Sequence, residues 1–477
     1  MKKILLLIVA VITSILLVGC DSEPKAEVST PEEFFSALFR YTDSPKHKDT
    51  PKTIILTADL DFSGYEWKTG YNCPTLDGNG HSLKNITIQV SEGAKVGMFK
   101  TIGKIQDVNI ENLNVTYYGK DGIVGGVAAA SGGTFSNVKI TGKIHAPSAK
   151  CVGGVIGQVR DTDAVLKDID IDIKVTGGNY VGGAIGLVDG NGYKARAVTL
   201  ENVTNRGEII SKAATTETDD GVTSESYAGG LVGVYYSDSG TVNNCKNYGT
   251  IKSKKYSGGL FGDASISSCK NSTNEGAVST EKSEIAFTFA GGIAGALNVK
   301  NTIENCKNTA VIESTGASGY GGGIAGYLYA GGQIISSKNA GHILANAVGG
   351  MVGYCEDNSQ FVMCENTGEV GTLDKTLAGG GIVGFAKNAF VNQCTNSGSV
   401  SGYCAAGIAG KYSVADTNME GAVISSSNSG KITASMGGGY AAGIIALMEN
   451  FEMLGIDTNT NTGELSGWKT DEIANIE

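Results

Sequence analysis

Twelve times between residues 97 and 443 the chain writes two glycines, two apolar residues and a glycine, or a close variant. The second glycine of each unit, or its equivalent, is Gly97, Gly126, Gly154, Gly183, Gly230, Gly259, Gly292, Gly323, Gly350, Gly381, Gly407 and Gly443. The steps between them run from 26 to 36 residues, with one of 47. A period of this length, sustained over most of a chain, marks a solenoid, a propeller or an array. Helical repeats would show apolar spacing near 3.6 and little glycine, whereas the alternation here has period two, which means strand. A propeller blade needs roughly 40–45 residues, more than most of these steps. Each repeat therefore reads as one coil, and the chain as a single right-handed parallel β-helix of about 12 coils. At about 4.8 Å per coil the rod is roughly 60 Å long.

In such a rod, equivalent residues of successive coils lie one strand spacing apart, so each slot becomes a ladder. One column reads Val108, Val138, Ile169, Val203, then Cys245, Cys269, Cys306, Ser337, Cys364, Cys394 and Ser426. Two residues later Ile110, Ile140 and Ile171 give way to Asn205, Asn247, Asn271, Asn308, Asn339, Asn366, Asn396, Asn428 and Asn461. Exchange with isoleucine places the asparagine column inside, where amides must be hydrogen-bonded; stacked amides bond to one another. The cysteines read as buried small apolar residues. Their spacing, a coil or more apart, is unlike a zinc site. Glycine serves the corners, by positive φ or by leaving room for close backbone. Tyr180, Tyr227, Tyr256, Phe289, Tyr320 and Tyr440 form another column. They share even spacing with the large residue four further on, so the expectation is a core stack; a sugar-stacking platform is the alternative.

The N-terminus, MKKILLLIVAVITSILLVGC, sets two lysines before an apolar run. This is the layout of a secretory signal peptide. Its ending, Leu17-Val18-Gly19-Cys20, resembles a lipobox, which implies a signal peptide over 1–19, lipidation of Cys20 and a polar tether over 20–29. The β-helix then occupies 30–477, opened by a capping helix over 31–41 that has capping-box spacing at Thr30 and Glu33 and an apolar face of Phe34, Phe35, Leu38 and Phe39. Net charge is −11 with no basic block, so nucleic acid is not an expected partner.

The Gly-Gly unit, written Gly230-Leu231-Val232-Gly233 in one copy, together with the asparagine column and TADLDFSGYEW…TLDGNGHSL, resembles the GLUG-motif β-helix proteins of bacterial surfaces. The resemblance spans roughly residues 50–465. It implies a lipid-anchored protein of the cell envelope, held in the outer membrane and surface-exposed, monomeric, with an adhesin-like role toward a glycan or a host protein. Such domains also precede the catalytic part of IgA-cleaving zinc peptidases, but this chain has no His-Glu-x-x-His. No cofactor is expected. Asp168, Asp170 and Asp172 alternate on one strand and so face outward together; they read as a solvated face, with Ca²⁺ binding or catalysis as the alternative. The 47-residue step carries a polar insertion with Thr216, Asp219 and Asp220, a candidate ligand loop. A carbohydrate-active enzyme and a passive spacer are the rival readings.

Overall fold

The computed structural model describes residues 24–46, 50–160, 162–190, 197–218, 221–282, 285, 287–298, 301–414, 422–435, 437–449 and 456–473. They wind into a right-handed parallel β-solenoid of about 13 turns. Winding starts ahead of the first Gly-Gly unit. Strand β1 (Lys25–Val28) pairs in parallel with β2 (Thr53–Leu56), which pairs with Asn72–Asp77, which pairs with Thr101–Tyr117. The tether expected over 20–29 is thus shortened from its C-terminal side, because Ala26 and Val28 have a strand to lie on.

Between β1 and β2 runs helix α1 (Pro31–Asp43). Thr30 caps it by accepting from the Glu33 amide, and Glu33 reaches back one residue beyond the cap to the Ser29 amide, 2.7 Å away. Phe34 and Leu38 are fully buried and Phe35 packs against Phe62 and Trp67, so the helix covers the first turns. Phe39, expected on that face, is 60 % exposed, because Ala37 takes the buried position beside Leu38 instead.

One coil illustrates the rest. Tyr227–Gly229 leads into the Gly-Gly corner, then come Val232–Asn243, Lys246–Asn247 and Ile251–Ser253, and Tyr256 starts the next turn. Leu231, Leu260, Ile293, Ile324, Met351 and Ile382 stack in the core with no exposed surface. The corner needs glycine for space rather than for φ. None of the twelve corner glycines has positive φ. A Cβ on Gly230 would run into the Gly259 carbonyl and come within 2.6 Å of Asn247 Oδ1.

The internal asparagine ladder exists. Each Nδ2 donates to Oδ1 of the next coil at 2.7–2.9 Å, from Asn205 through Asn247, Asn274, Asn308, Asn339, Asn366, Asn396 and Asn428 to Asn461. Each also donates to the carbonyl two residues on, as Asn308 does to Ala310 at 3.0 Å. One rung differs from expectation: Asn274, not Asn271, occupies it. The run Asn271-Ser272-Thr273-Asn274 offers two asparagines, and the nearby Cys269 invites the wrong one. Ser272 takes the cysteine-column slot, accepting from the Cys245 amide, while Cys269 lies on the column of Val242 and Ile303.

Asn271 belongs to a second, exposed ladder at the opposite side of the same strand. Asn202, Asn244, Asn271 and Asn305 each sit three residues before an inner asparagine, with φ of 52–55°. Asn244 donates to Asn202, and Asn305 to Asn271, at 2.7 Å. Asparagine tolerates the left-handed region here because its amide finds the coil above.

Candidate functional site

The glycine corner reverses the alternation of the chain. Ala228 points into the core, and so does Leu231, three residues on rather than two or four. Tyr227 is therefore turned outward, contrary to the core stack expected from even spacing. The column Tyr180, Tyr227, Tyr256, Phe289, Tyr320 runs down an outer wall in strict register. Tyr227 and Tyr256 stack with centroids 4.6 Å apart and parallel planes; Tyr256 and Phe289 are 4.8 Å apart at 11°.

Across the concave corner stands a second column, the residue after the third glycine, or after Ala446 in its place: Leu187, Val234, Asp263, Ala296, Tyr327, Tyr354, Phe385, Lys411 and Leu447. Its rings also stack, Tyr327 on Tyr354 at 5.1 Å and Tyr354 on Phe385 at 4.9 Å. The two stacks meet edge to face, with Phe289 against Tyr327 at 87° and Tyr320 against Tyr354 at 68°. Offset stacks joined edge to face are what ring quadrupoles favour. This second column was legible as a residue following each Gly-apolar-apolar-Gly, but its even mixture of aliphatic, aromatic and charged residues hides it.

Asp263 and Lys255 are charged side chains within this aromatic cleft. Asp263 is buried, accepts from Tyr236 Oη at 2.8 Å and from Asn298 Nδ2 at 2.7 Å, and burial pushes its carboxyl up to about 6. Lys255 lies over the Tyr256 ring at 5.3 Å, and burial lowers its pKa. Burial likewise raises the Tyr180 phenol to about 12. Where the first column loses its rings, at Ala347, Ala378 and Cys404, a cleft of about 410 Å³ opens, bordered by Tyr320, Tyr354, Phe385 and Lys411.

The other candidates fall apart in space. Asp168 is the left-handed corner residue (φ 56°) and accepts from Asn202 Nδ2 at 2.6 Å, as a rung of the outer ladder. Asp170 pairs with Arg206 Nε at 2.9 Å. Asp172 is exposed beyond it. The corner at Asp168 sets its carboxylate apart from Asp170 and Asp172, which stay on one outward face, and among the described residues no cluster of His, Cys, Asp and Glu could hold a metal ion. Thr216 is exposed on an antiparallel hairpin, Thr215–Thr218 with Gly221–Ser224, that leaves the solenoid; Asp219 and Asp220 lie outside the described residues. Cys20 lies outside them as well, and among those described no helix is long and apolar enough to cross a membrane. Cys245, Cys269, Cys306, Cys364 and Cys394 are buried free thiols, with Cys269 and Cys306 Sγ 3.9 Å apart; burial pushes Cys245 up to about 12.

No family model matches the chain. Halomucin of Haloquadratum walsbyi is 41 % identical over 86 residues, 17 % of this chain and 1 % of that protein's length. A solved structure from Bacteroides ovatus, provisionally named an immunoglobulin A1 protease, aligns over 73 % of this chain and 76 % of its own at 17 % identity, with a TM-score of 0.28.

Proposed function

We propose that this chain is a non-catalytic, ligand-binding lipoprotein of adhesin-like character, anchored in the outer membrane through Cys20 and displayed as a monomeric rod at the cell surface. The observation that carries the reading is the aromatic cleft. Nine coils of one rigid scaffold present outward rings and small residues in register, and the rings thin out where a recess opens. Concave, largely apolar surfaces with a few polar groups are where ligands bind. A glycan or a polypeptide of the host is the ligand class. The signal-like leader ending in Gly19-Cys20 supports the anchor.

Screening the full chain against glycans and extracellular proteins tests this. Saturable binding that Tyr354→Ala and Phe385→Ala together weaken supports it. Binding that ignores those substitutions sinks the cleft as the site. For the anchor, metabolic labelling with palmitate must mark the chain and Cys20→Ala must abolish the mark.

A second reading has one observation in its favour. Asp263, whose carboxyl burial pushes up to about 6 inside an aromatic cleft, resembles the acid of a glycoside-cleaving enzyme. Its hydrogen-bond partners are Tyr236 and Asn298 rather than a second carboxylate. Release of reducing ends from a polysaccharide, abolished by Asp263→Asn, would make this the better account.

A further inference from the structure

The recess is a vacancy in a repeating pattern, and the pattern says what fits. Coil by coil, a ring of the first column meets a ring of the second column one coil later. Phe289 meets Tyr327 at 5.4 Å and 87°, and Tyr320 meets Tyr354 at 5.4 Å and 68°. Tyr320 also meets Tyr327, on its own coil, at 6.2 Å and 81°. The next position of the first column is Ala347, then Ala378, then Cys404, before Tyr440 resumes it. The second column does not stop with it. Tyr354 and Phe385 stand opposite the two alanines, stacked at 4.9 Å and 7°. Moved down one coil, the Tyr320 ring would fall over Ala347 and meet Tyr354 and Phe385 as Tyr320 meets Tyr327 and Tyr354.

Resting on the reading of the cleft as a binding site, we propose that this vacancy takes an aromatic side chain of a partner polypeptide, seated over Ala347 and Ala378 in place of the missing rings. The bordering surface favours a ring over a sugar. Ala347, Ala378, Cys404, Leu377 and Leu447, together with the rings of Tyr320, Tyr354 and Phe385, supply most of the lining, and Ser318 and Asn346 are its small polar members. Sugar hydroxyls laid against them would lose water without gaining partners. An aromatic ring has no such debt, and its π-face and edge match the quadrupoles already arranged around the space. Leu377, 59 % exposed, and Tyr403, 40 % exposed, extend the apolar rim for the residues that flank the inserted ring. At the far end Lys411, 5.1 Å from the Phe385 ring and paired with Glu449, offers a cation to the inserted π-face.

The test uses the full chain in mild detergent with methyl-labelled alanine, titrated with N-acetyl-L-tyrosinamide, with N-acetyl-L-tryptophanamide and, separately, with methyl β-D-glucoside. The proposal expects the aromatic amides to shift the Ala347 and Ala378 methyl signals saturably and the glucoside to leave them in place. The double variant Ala347→Tyr, Ala378→Tyr completes the ladder with the chain's own rings. It lacks the two reporter methyls, so binding of the amides to it and to the parent is compared by equilibrium dialysis; it is expected to keep the far-UV spectrum and melting temperature and to weaken that binding at least tenfold. Ring binding at equal strength to the filled variant overturns the proposal, as does absence of any shift from either amide in the parent chain. Shifts from the glucoside alone overturn the ring as occupant while leaving the cleft a binding site. If neither probe shifts the methyls yet a polypeptide or glycan ligand competes for Tyr354 and Phe385, this occupant fails and the broader reading survives.

Discussion

Asn308→Leu cuts the buried amide ladder in its middle, and its cost can be counted group by group. Asn308 accepts from Asn274 Nδ2 at 2.9 Å and donates to Asn339 Oδ1 at 2.9 Å and to the Ala310 carbonyl at 3.0 Å. Its Oδ1 also accepts from the Ala310 amide at 3.3 Å. Leucine, close in volume, leaves one N–H of Asn274 and both backbone groups of Ala310 without those partners, while Asn339 Oδ1 keeps the Gly341 amide at 3.2 Å. A buried group stripped of its partner costs about 1–3 kcal/mol, so with relaxation and the gain from an apolar side chain the loss is about 4 kcal/mol. The head of the ladder behaves differently. Asn205 sits below Ile171, which has no amide to offer, and Asn205 Oδ1 is buried with no hydrogen bond. Asn205→Leu frees the Gly207 carbonyl and Asn247 Oδ1 but also removes that orphan. The net is one stripped group, about 1–2 kcal/mol. Urea unfolding followed by far-UV circular dichroism compares the two variants, and amide exchange over residues 270–345 localises the damage, since a repeat array can open in parts. Asn308→Leu is expected to cost at least ~2 kcal/mol more than Asn205→Leu. Equal costs at the two positions would refute the account of a directional ladder with an unsatisfied end.

Three further outcomes are expected. Asn274→Ala should destabilise by about 3 kcal/mol and Asn271→Ala by about 1 kcal/mol, the latter through its left-handed φ of 52°, with Asn271→Gly milder still; urea midpoints of the three decide whether the inner rung is the right one. Gly259→Ala forces a Cβ against the Gly292 carbonyl and to 2.5 Å from the Asn274 side chain, so it should cost about 3 kcal/mol or more, read as a drop in melting temperature. Asp263 has a folded pKa raised to about 6 by burial, so its contribution to stability is present at acid pH and lost as pH rises through the folded value. Between pH 4 and 7 the parent should lose roughly 3 kcal/mol from this group, and Asp263→Asn should flatten that slope in a pH series of unfolding curves.

How much of this was readable in advance follows from the geometry of a solenoid. Coil-to-coil register makes every slot a column, so the period, the core position after Gly-Gly and nearly all the asparagine rungs appear in the one-dimensional text. The Asn271 error arose within a single coil, where four residues hold two asparagines and only the corner at φ 52° tells outer from inner. Asp168 misled for the same reason: period two puts it on one face with Asp170 and Asp172, but a left-handed corner stands at Asp168 itself and sends its carboxylate to Asn202.

The residues alone determined a parallel coil with an internal amide seam, because side chains that must bond to their own kind recur at the strand spacing. They also determined which positions carry rings. Only the folded backbone decided which way those rings point. The Gly-Gly corner skips a beat in the alternation, turning Tyr227 out while Ala228 and Leu231 stay in. That change of phase brings two columns, seven residues apart in each coil, face to face across a concave edge. No alternation rule crosses such a corner, because the bend, not the strand, sets the direction on its far side.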